Sequence, residues 1–382
     1  MKDMRGSVLF ASLCSAGLLS SASYAAEASR AQFGTLTDGR PVEAITLTNA
    51  KGTKARILSY GAILQSLTTL DRKGKSADVT LGYANMKGYL TAPNYFGATV
   101  GRYANRIKSG TFNIDGQSYK LALNNGPNAL HGGVRGYDKR LWTVESVASG
   151  PSASVVLKYV SEDGEEGYPG QLTVTATYAL NERNELRIDY VATTTKPTIV
   201  NITNHSFFNL AGEASQKSIY GHILTIPAET TTPVDQTLIP TGQFRPVAGT
   251  PFDFRKPAVI GTRIRDGRDD QIVFGQGYDE NFVISRSLAA TPQLMARVED
   301  PGSGRVMDIL SNQPGVQLYT GNFLDGTAIG KSSLAYRQGD GIALEPQVFP
   351  DTPNQPAFGS ARLNPGQTYR NTIIYRFSTK PR

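Results

Sequence analysis

The sequence predicts an all-β fold, a large sandwich or barrel with few helices, and three observations support this prediction. Apolar and polar residues alternate with a period of two in many short runs, which is typical of strands with one buried face. The 382 residues include 39 glycines and 21 prolines, an excess over average usage that indicates many turns. No stretch of about 15 residues shows a convincing helical period of 3.6.

The clearest strand pair lies near the middle of the chain. Residues 171–180 place Leu172, Val174, Ala176, Tyr178 and Leu180 on one face and three threonines on the other. Residues 181–184, Asn-Glu-Arg-Asn, are typical of a turn. Leu186, Ile188 and Tyr190 then restart the alternation. This pattern predicts a β-hairpin.

Similar short runs predict further strands along the rest of the chain. They lie at 153–160, 198–203, 283–285, 306–309, 316–320, 341–344 and 372–377. Many short strands at regular spacing favour one large sandwich or barrel. We find no internal repeat and no change in composition that would mark a linker.

The N-terminus has the order of regions expected of a secretory signal peptide. Lys2 and Arg5 are basic, residues 8–19 are uncharged and mostly apolar, and residues 23–25 form a small-x-small cleavage site. We therefore expect cleavage after Ala25 or Ala26. A buried N-terminal helix is the alternative, but it does not explain this order of regions.

This interpretation sets the domain boundaries and the destination of the protein. Residues 1–26 would be removed, and residues 27–382 would form a single domain in the periplasm or outside the cell. No later apolar run reaches transmembrane length, so we expect no membrane anchor after cleavage.

Composition argues against several classes of function. Lysine and arginine number 39 against 32 acidic residues, which gives a net charge of +7. The basic residues are scattered and form no stripe with interleaved aromatics, so we expect no nucleic-acid partner. One cysteine and three histidines leave little material for a metal centre, and phosphate-binding glycine motifs are absent. We expect neither a metal nor a cofactor.

Four segments place polar groups inside apolar or glycine-rich sequence. They are GRYANRI at 101–107, NALHGG at 128–133, TNHSFFNL at 203–210 and GIALEPQ at 341–347. The last predicts a strand that ends at Glu345, which Pro346 holds extended. Each segment also has an ordinary structural explanation when it is taken alone.

Taken together, these segments resemble the aldose 1-epimerases, also called galactose mutarotases. The resemblance covers nearly the whole mature chain. It extends through HGGVRGYDKRLW at 131–142, YDENF at 278–282, QPGVQLYTGNFLDG at 313–326 and LEPQVFPD at 344–351. The family implies a large single-domain β-sandwich, the galactose mutarotase-like supersandwich, with a sugar cleft on its concave face. Pro346 departs from the family pattern, since many members have threonine there.

The resemblance also implies the roles of individual residues. It makes Glu345 the general base and His205 the general acid of a reaction that interconverts the α and β anomers of free aldohexoses such as glucose and galactose. The matched substrate-binding positions are Arg106, His131, Asp279, Gln317 and, within the GRYANRI motif, Asn105. Phe207 or Phe208 could stack on the sugar, although a core position is the alternative for both. His222 matches no motif and is interpreted as structural.

These residue types suit the chemistry, because opening a sugar ring needs only one base and one acid. Glutamate can take the proton of the C1 hydroxyl and an imidazolium can protonate the ring oxygen. Three alternatives stay open from the sequence. They are a glycoside hydrolase that uses Asp279 and Glu345, a non-catalytic sugar-binding protein of the cell envelope, and a hexose-6-phosphate epimerase, which would need a further cation at the cleft.

Overall fold

Almost all regular structure in this protein is β-strand. The computed structural model describes residue 1, residues 25–92 and residues 94–381, so most of the expected signal peptide lies outside the described residues. Within them, sheets of five, nine and six strands are accompanied by several two-stranded pairs. This architecture confirms the prediction of an all-β sandwich with few helices.

The strands are numbered in chain order. They are β1 Glu27–Thr35, β2 Pro41–Thr48, β3 Lys54–Leu58, β4 Ile63–Leu70, β5 Ser76–Asp78, β6 Ala98–Val100, β7 Arg106–Ile107, β8 Thr111–Ile114, β9 Gln117–Lys120, β10 Ala129–Leu130, β11 Thr143–Ala148, β12 Ser152–Ser161, β13 Leu172–Asn181, β14 Glu185–Thr194, β15 Thr198–Ile199, β16 Thr203–His205, β17 Phe207–Phe208, β18 Ile223–Thr225, β19 Thr230–Thr231, β20 Arg245–Pro246, β21 Ala258–Val259, β22 Asp279–Val283, β23 Gln293–Glu299, β24 Arg305–Ser311, β25 Gly315–Tyr319, β26 Asp325–Ile329, β27 Ala335–Arg337, β28 Ile342–Gln347, β29 Arg362–Leu363 and β30 Tyr369–Thr379.

The helices of the described chain are short. They are α1, Met86–Thr91, which is capped by Asn85, and α2, Asp270–Gly275, which is capped by Asp269. Single 3₁₀ turns occur at Lys108–Gly110, Tyr137–Lys139, Glu165–Gly167, Glu213–Ser215, Ile219–Gly221, Ile260–Thr262, Thr352–Asn354 and Pro356–Phe358. None of the described helices has the length and apolar character needed to cross a membrane.

Strand order shows how the sheets are built. The five-stranded sheet runs β1-β2-β3-β4-β5, and the nine-stranded sheet runs β11-β12-β13-β14-β30-β24-β23-β18-β21. The six-stranded sheet runs β17-β28-β25-β22-β19-β20. All strand pairs within these three sheets are antiparallel.

The predicted hairpin is confirmed as β13 and β14. The apolar residues of β13 are buried and its threonines are half-buried, as the alternation requires. Leu180 pairs with Leu186 across the turn. Asn184 takes a φ of 59° there, a left-handed conformation that asparagine tolerates better than most residues.

Three predicted strands differ from the structure at their ends. The run at 198–203 is two separate short strands, and the run at 283–285 is the end of β22, which stops at Val283. The strand that carries Glu345 continues to Gln347, so Glu345 lies inside β28 rather than at its end. Pro346 lies beyond residues 342 and 343, where β28 pairs with β17, so on that side it occupies an edge of the sheet, a position at which proline is tolerated.

One apolar core joins the sheets. Its largest cluster contains Leu64 of β4, Val174 of β13 and Leu318 of β25, all fully buried, so each of the three sheets contributes to it. Because these side chains pack against one another, the three sheets hold fixed positions. The six-stranded sheet can therefore position polar side chains on the face that is not packed into the core.

Candidate active site

An open cleft of about 590 Å³ contains every candidate site residue predicted from the sequence. This volume is within the usual range for small-molecule sites. The seven residues are between 2% and 8% exposed. They are Asn105, Arg106, His131, His205, Asp279, Gln317 and Glu345.

The floor of the cleft is formed by three neighbouring strands of the six-stranded sheet. Gln317 of β25 lies directly opposite Glu345 of β28. Asp279 of β22 lies on the other side of β25, where its carboxylate Oδ1 accepts a hydrogen bond of 2.6 Å from Gln317 Nε2. Antiparallel pairing thus brings together residues that are far apart in the chain.

One wall comes from the GRYANRI and NALHGG segments. The short strands β7 and β10 pair, with Arg106 opposite Leu130, and His131 follows directly. The backbone N–H of Asn105 donates to His131 Nδ1 at 3.1 Å. Arg106 Nε donates to Asn125 Oδ1 at 2.9 Å, which fixes the direction of the guanidinium.

His205 is the last residue of β16, and its neighbour Asn204 anchors that strand. The buried Asn204 amide donates to the Gly97 carbonyl at 2.9 Å and accepts from Ser206 Oγ at 2.6 Å. Tyr178 and Tyr375 provide longer hydrogen bonds of 3.4 and 3.3 Å. Because the amide is bonded at both ends, the backbone that carries His205 has little freedom.

Glu345 and His205 meet in the cleft. His205 Nε2 lies 3.5 Å from Glu345 Oε1, and the two side chains are 6% and 2% exposed. Glu345 Oε2 and His205 Nδ1 are buried and have no hydrogen-bond partner among the described residues. Buried polar atoms are normally paired, so this pair retains hydrogen-bonding capacity that the described residues do not satisfy.

Burial shifts the pKa of each group in the direction that disfavours its charge. It raises the pKa of Glu345 well above its ordinary value, and the nearby Asp279 carboxylate raises it further, while Arg106 opposes the shift. Burial lowers the pKa of His205 from 6.5 to about 4. At a pH above the lowered pKa of His205 and below the raised pKa of Glu345, the two groups together hold one proton.

His131 is a fixed hydrogen-bond donor. Its Nδ1 accepts the Asn105 N–H, so the proton of the neutral ring is on Nε2. Burial, helped by nearby positive charge on His205 and Arg106, lowers the pKa of His131 well below its ordinary value. The ring is therefore neutral at pH 7 and offers Nε2–H to a ligand.

This tautomer also bears on metal binding. Ligand atoms of His131, His205 and Glu345 lie within 4.8 Å of one another, an arrangement that resembles a two-histidine, one-carboxylate metal site. A metal ligand needs a free nitrogen lone pair, but His131 has its proton on Nε2 and engages Nδ1 with Asn105. The trio therefore does not fit a three-ligand site.

We expect activity to be independent of added metal. Incubation with EDTA, followed by removal of the chelator, should leave unchanged the rate of the anomer interconversion that the family resemblance implies, because that reaction needs only an acid and a base from side chains. Loss of activity that a single divalent ion restores would contradict this expectation.

The structure places the two aromatic candidates, Phe207 and Phe208, on opposite faces of their strand. Phe207 lines the cleft with its ring centre 5.0 Å from that of His205. Phe208 points into the core and packs against Tyr375. The alternating directions of side chains along a strand place neighbours on opposite faces. His222 does not line the cleft, and its Nε2 accepts the Leu210 N–H at 2.9 Å, as expected of a structural residue.

Several lining residues were not identified from the sequence. Tyr95, Asn125 and Tyr319 line the cleft, as do Phe274 and Phe323 at its rim. Tyr319 had a usable signal, because it lies two residues after Gln317 in the same strand and therefore on the same face. The other lining residues lie in loops or in a short helix, where the spacing of residues in the sequence does not predict the direction of a side chain.

The chain is similar to proteins of known family. A sequence model of the family described as aldose 1-epimerase matches residues 43–376. Galactose mutarotase of Sus scrofa is 47% identical over 350 residues, which cover 91% of this chain and 98% of that protein. Galactose mutarotase of Homo sapiens is 46% identical over 354 residues, covering 92% and 99%. The crystal structure of galactose 1-epimerase from Lactobacillus acidophilus aligns with a TM-score of 0.81 and 29% identity, covering 93% and 99%.

Proposed function

Because this chain belongs to the aldose 1-epimerase family and is an isomerase of that type, we propose that it interconverts the anomers of free aldohexoses with Glu345 as general base and His205 as general acid. The observation that carries the proposal is the contact between these two side chains in the cleft. Their unpaired buried atoms support it further.

The geometry suits the two proton transfers of ring opening. The C1 hydroxyl and the ring oxygen are bonded to the same carbon atom, so a base and an acid that act on both must lie side by side. His205 Nε2 and Glu345 Oε1, 3.5 Å apart, meet this requirement. Groups within hydrogen-bond reach of the reacting atoms can transfer protons during the reaction.

The reaction proceeds through the open-chain aldehyde. Glu345 removes the proton of the C1 hydroxyl, the C1–ring oxygen bond breaks, and His205 protonates the leaving ring oxygen. Rotation about C1–C2 then presents the other face of the carbonyl. The same two groups act in reverse as the ring closes, so the enzyme returns to its starting protonation state.

The remaining cleft residues bind hydroxyl groups. His131 Nε2–H and the Arg106 guanidinium donate, whereas the Asp279 carboxylate accepts and Gln317 can do both. Asn105 acts on the sugar indirectly, because its backbone N–H sets the tautomer of His131. None of these groups is needed to carry a proton between C1 and the ring oxygen.

The alternatives are less well supported. A hydrolase that uses Asp279 and Glu345 leaves the contact between Glu345 and His205 without a role, and Asp279 is engaged by Gln317. A sugar-binding protein does not need a buried acid–base pair, whose desolvation is costly. A hexose-6-phosphate substrate would need a further cation, but Arg106 is the only lysine or arginine among the described lining residues.

Polarimetry on freshly dissolved sugars tests the proposal. Enzyme should accelerate the change in optical rotation of α-glucose or α-galactose above the uncatalysed rate, and the same assay on the aldopentoses xylose and arabinose measures which aldose is preferred. Lactose should release no free glucose in a coupled assay. Binding of sugar without any acceleration would support the sugar-binding alternative, and glucose release would support the hydrolase.

We further propose that residues 1–26 direct export and that residues 27–382 fold as one domain, consistent with the core that joins all three sheets. Residues 2–24 lie outside the described residues. Ala26 is buried and exchanges two backbone hydrogen bonds of 2.8 and 2.9 Å with Gly150. Cleavage after Ala25 retains these bonds, so we favour it over cleavage after Ala26 and assign Ala26 to the folded domain rather than to the signal peptide.

Intact mass measurement tests export. Protein recovered from the periplasm of a Gram-negative host should begin at Ala26. An uncleaved N-terminus, or recovery from the cytosol alone, would contradict the proposal.

A further inference from the structure

Tyr95 is a cleft residue to which the proposed reaction gives no role. Its backbone φ is 59°, a left-handed conformation that is uncommon for a bulky aromatic residue. Such conformations cost free energy and persist only where surrounding contacts fix them, often at functional sites. The contacts of Tyr95 are therefore informative.

The Tyr95 ring packs against both imidazoles of the cleft. Its centre lies 4.7 Å from that of His131 and 5.7 Å from that of His205. The two imidazole centres are themselves 5.1 Å apart. The three rings thus form one cluster, in which neither histidine can turn without disturbing Tyr95.

Backbone hydrogen bonds tie the same segment to the strand of His205. The Tyr95 carbonyl accepts the Ala98 N–H at 3.0 Å, and Gly97 donates its N–H to the His205 carbonyl at 3.0 Å. Lys139 Nζ lies 5.2 Å from the centre of the Tyr95 ring, within range of a cation–π contact. Both the ring and the backbone of this residue are therefore fixed relative to His205.

We propose that Tyr95 is a positioning residue, whose ring fixes the directions in which His131 and His205 meet the sugar. The role rests on the proposed function, because it concerns the acid and the donor of that reaction. Small displacements of a reacting group, of about 1 Å, can reduce a rate by about 10²-fold. The ring, not the hydroxyl, carries this role.

Two variants test the proposal. Tyr95→Asn removes the ring and keeps a residue that tolerates positive φ, so it adds no backbone strain and any fall in melting temperature reports lost ring packing. Tyr95→Phe keeps the ring and is the matched control. We expect Tyr95→Asn to lower kcat/KM by about 10²-fold, mainly through kcat, and Tyr95→Phe to remain close to the wild type.

Nuclear magnetic resonance gives a readout that does not depend on activity. The chain has three histidines, and His222 lies outside the cleft. Removing the Tyr95 ring changes the ring current at both imidazoles even if they do not turn, so the readout is the nuclear Overhauser contact between the His131 and His205 rings, whose centres are 5.1 Å apart. This contact should weaken in Tyr95→Asn and persist in Tyr95→Phe, with the His222 signal unchanged in both. The nuclear magnetic resonance measurement tests the position of the two imidazoles even if the wild type does not interconvert anomers.

Several results would overturn the proposal. These are an unchanged nuclear Overhauser contact between the His131 and His205 rings in Tyr95→Asn, an unchanged kcat in that variant, or equal losses of activity in Tyr95→Asn and Tyr95→Phe. Equal losses would assign the role to the hydroxyl. A shift of all three histidine signals with a lower melting temperature would show a general packing role instead.

Discussion

Glu345→Gln should lower kcat by about 10²–10⁴-fold, the usual contribution of a general base. Glutamine has nearly the same shape as glutamate but cannot accept the proton of the C1 hydroxyl. The fold should be intact, because the side chain is 2% exposed and burial keeps the carboxyl largely protonated, so a neutral amide of nearly the same shape replaces a neutral acid. Polarimetric kinetics and a melting curve on the purified variant measure the two effects.

Glu280→Gln is the matched control. Glu280 is the next residue after Asp279 on β22, is 1% exposed and does not line the cleft. Burial raises its pKa well above the ordinary value, as for Glu345. The melting temperature of Glu280→Gln should therefore change as that of Glu345→Gln does. Its turnover should stay at the wild-type value. A Glu345→Gln variant with more than about a third of the wild-type rate would not agree with a general base.

His205→Asn should also lower kcat by about 10²–10⁴-fold, since water would then be the proton donor. His131→Asn should weaken sugar binding with a smaller loss of kcat, because that ring only donates a hydrogen bond. His222→Asn is the control, since His222 is equally buried but outside the cleft. Its turnover should match that of the wild type once the folded fraction is taken into account.

The dependence of kcat/KM on pH distinguishes an acid from a structural histidine. The active enzyme holds one proton on the Glu345–His205 pair. Because burial raises the pKa of Glu345 and lowers that of His205 to about 4, most of that proton is on the carboxyl in the free enzyme. The reactive form, with Glu345 ionised and His205 protonated, is a minor arrangement of the same one-proton state.

A bell-shaped profile is expected from this state. Activity should fall on the acid side near pH 4, where protonation of His205 adds a second proton to the pair. On the basic side it should fall as the last proton is lost, at the raised pKa of Glu345. The sequence alone suggests the opposite assignment, with Glu345 on the acid limb and His205 on the basic limb, because unperturbed pKa values have that order.

In His205→Asn, the basic limb should disappear. Only Glu345 then titrates, so the residual rate should rise with pH until the carboxyl is ionised and then level off. A basic limb that persists in this variant would exclude His205 as the acid. A normal rate with a lower melting temperature would show that His205 only supports the fold.

The fold class could be predicted from the sequence, and its motifs also supplied seven candidate site residues. Period-two alternation identified β13 and β14 because strand geometry imposes that period on any half-buried segment. Ordered motifs identified Glu345, His205 and the other five candidates, since they resemble a family in which those residue types have roles. All seven lie in one cleft.

The geometry among these residues could not be predicted from the sequence, because it depends on contacts between distant parts of the chain. The alignment of β28 with β25 places Glu345 inside a strand opposite Gln317, and pairing between distant segments is not encoded in local spacing. The His131 tautomer depends on the N–H of Asn105, a contact across 26 positions of the chain. The pKa values of Glu345 and His205 depend on burial, and burial is a property of the packed molecule. Loop residues such as Tyr95 reach the cleft through backbone conformations that no periodic pattern reveals.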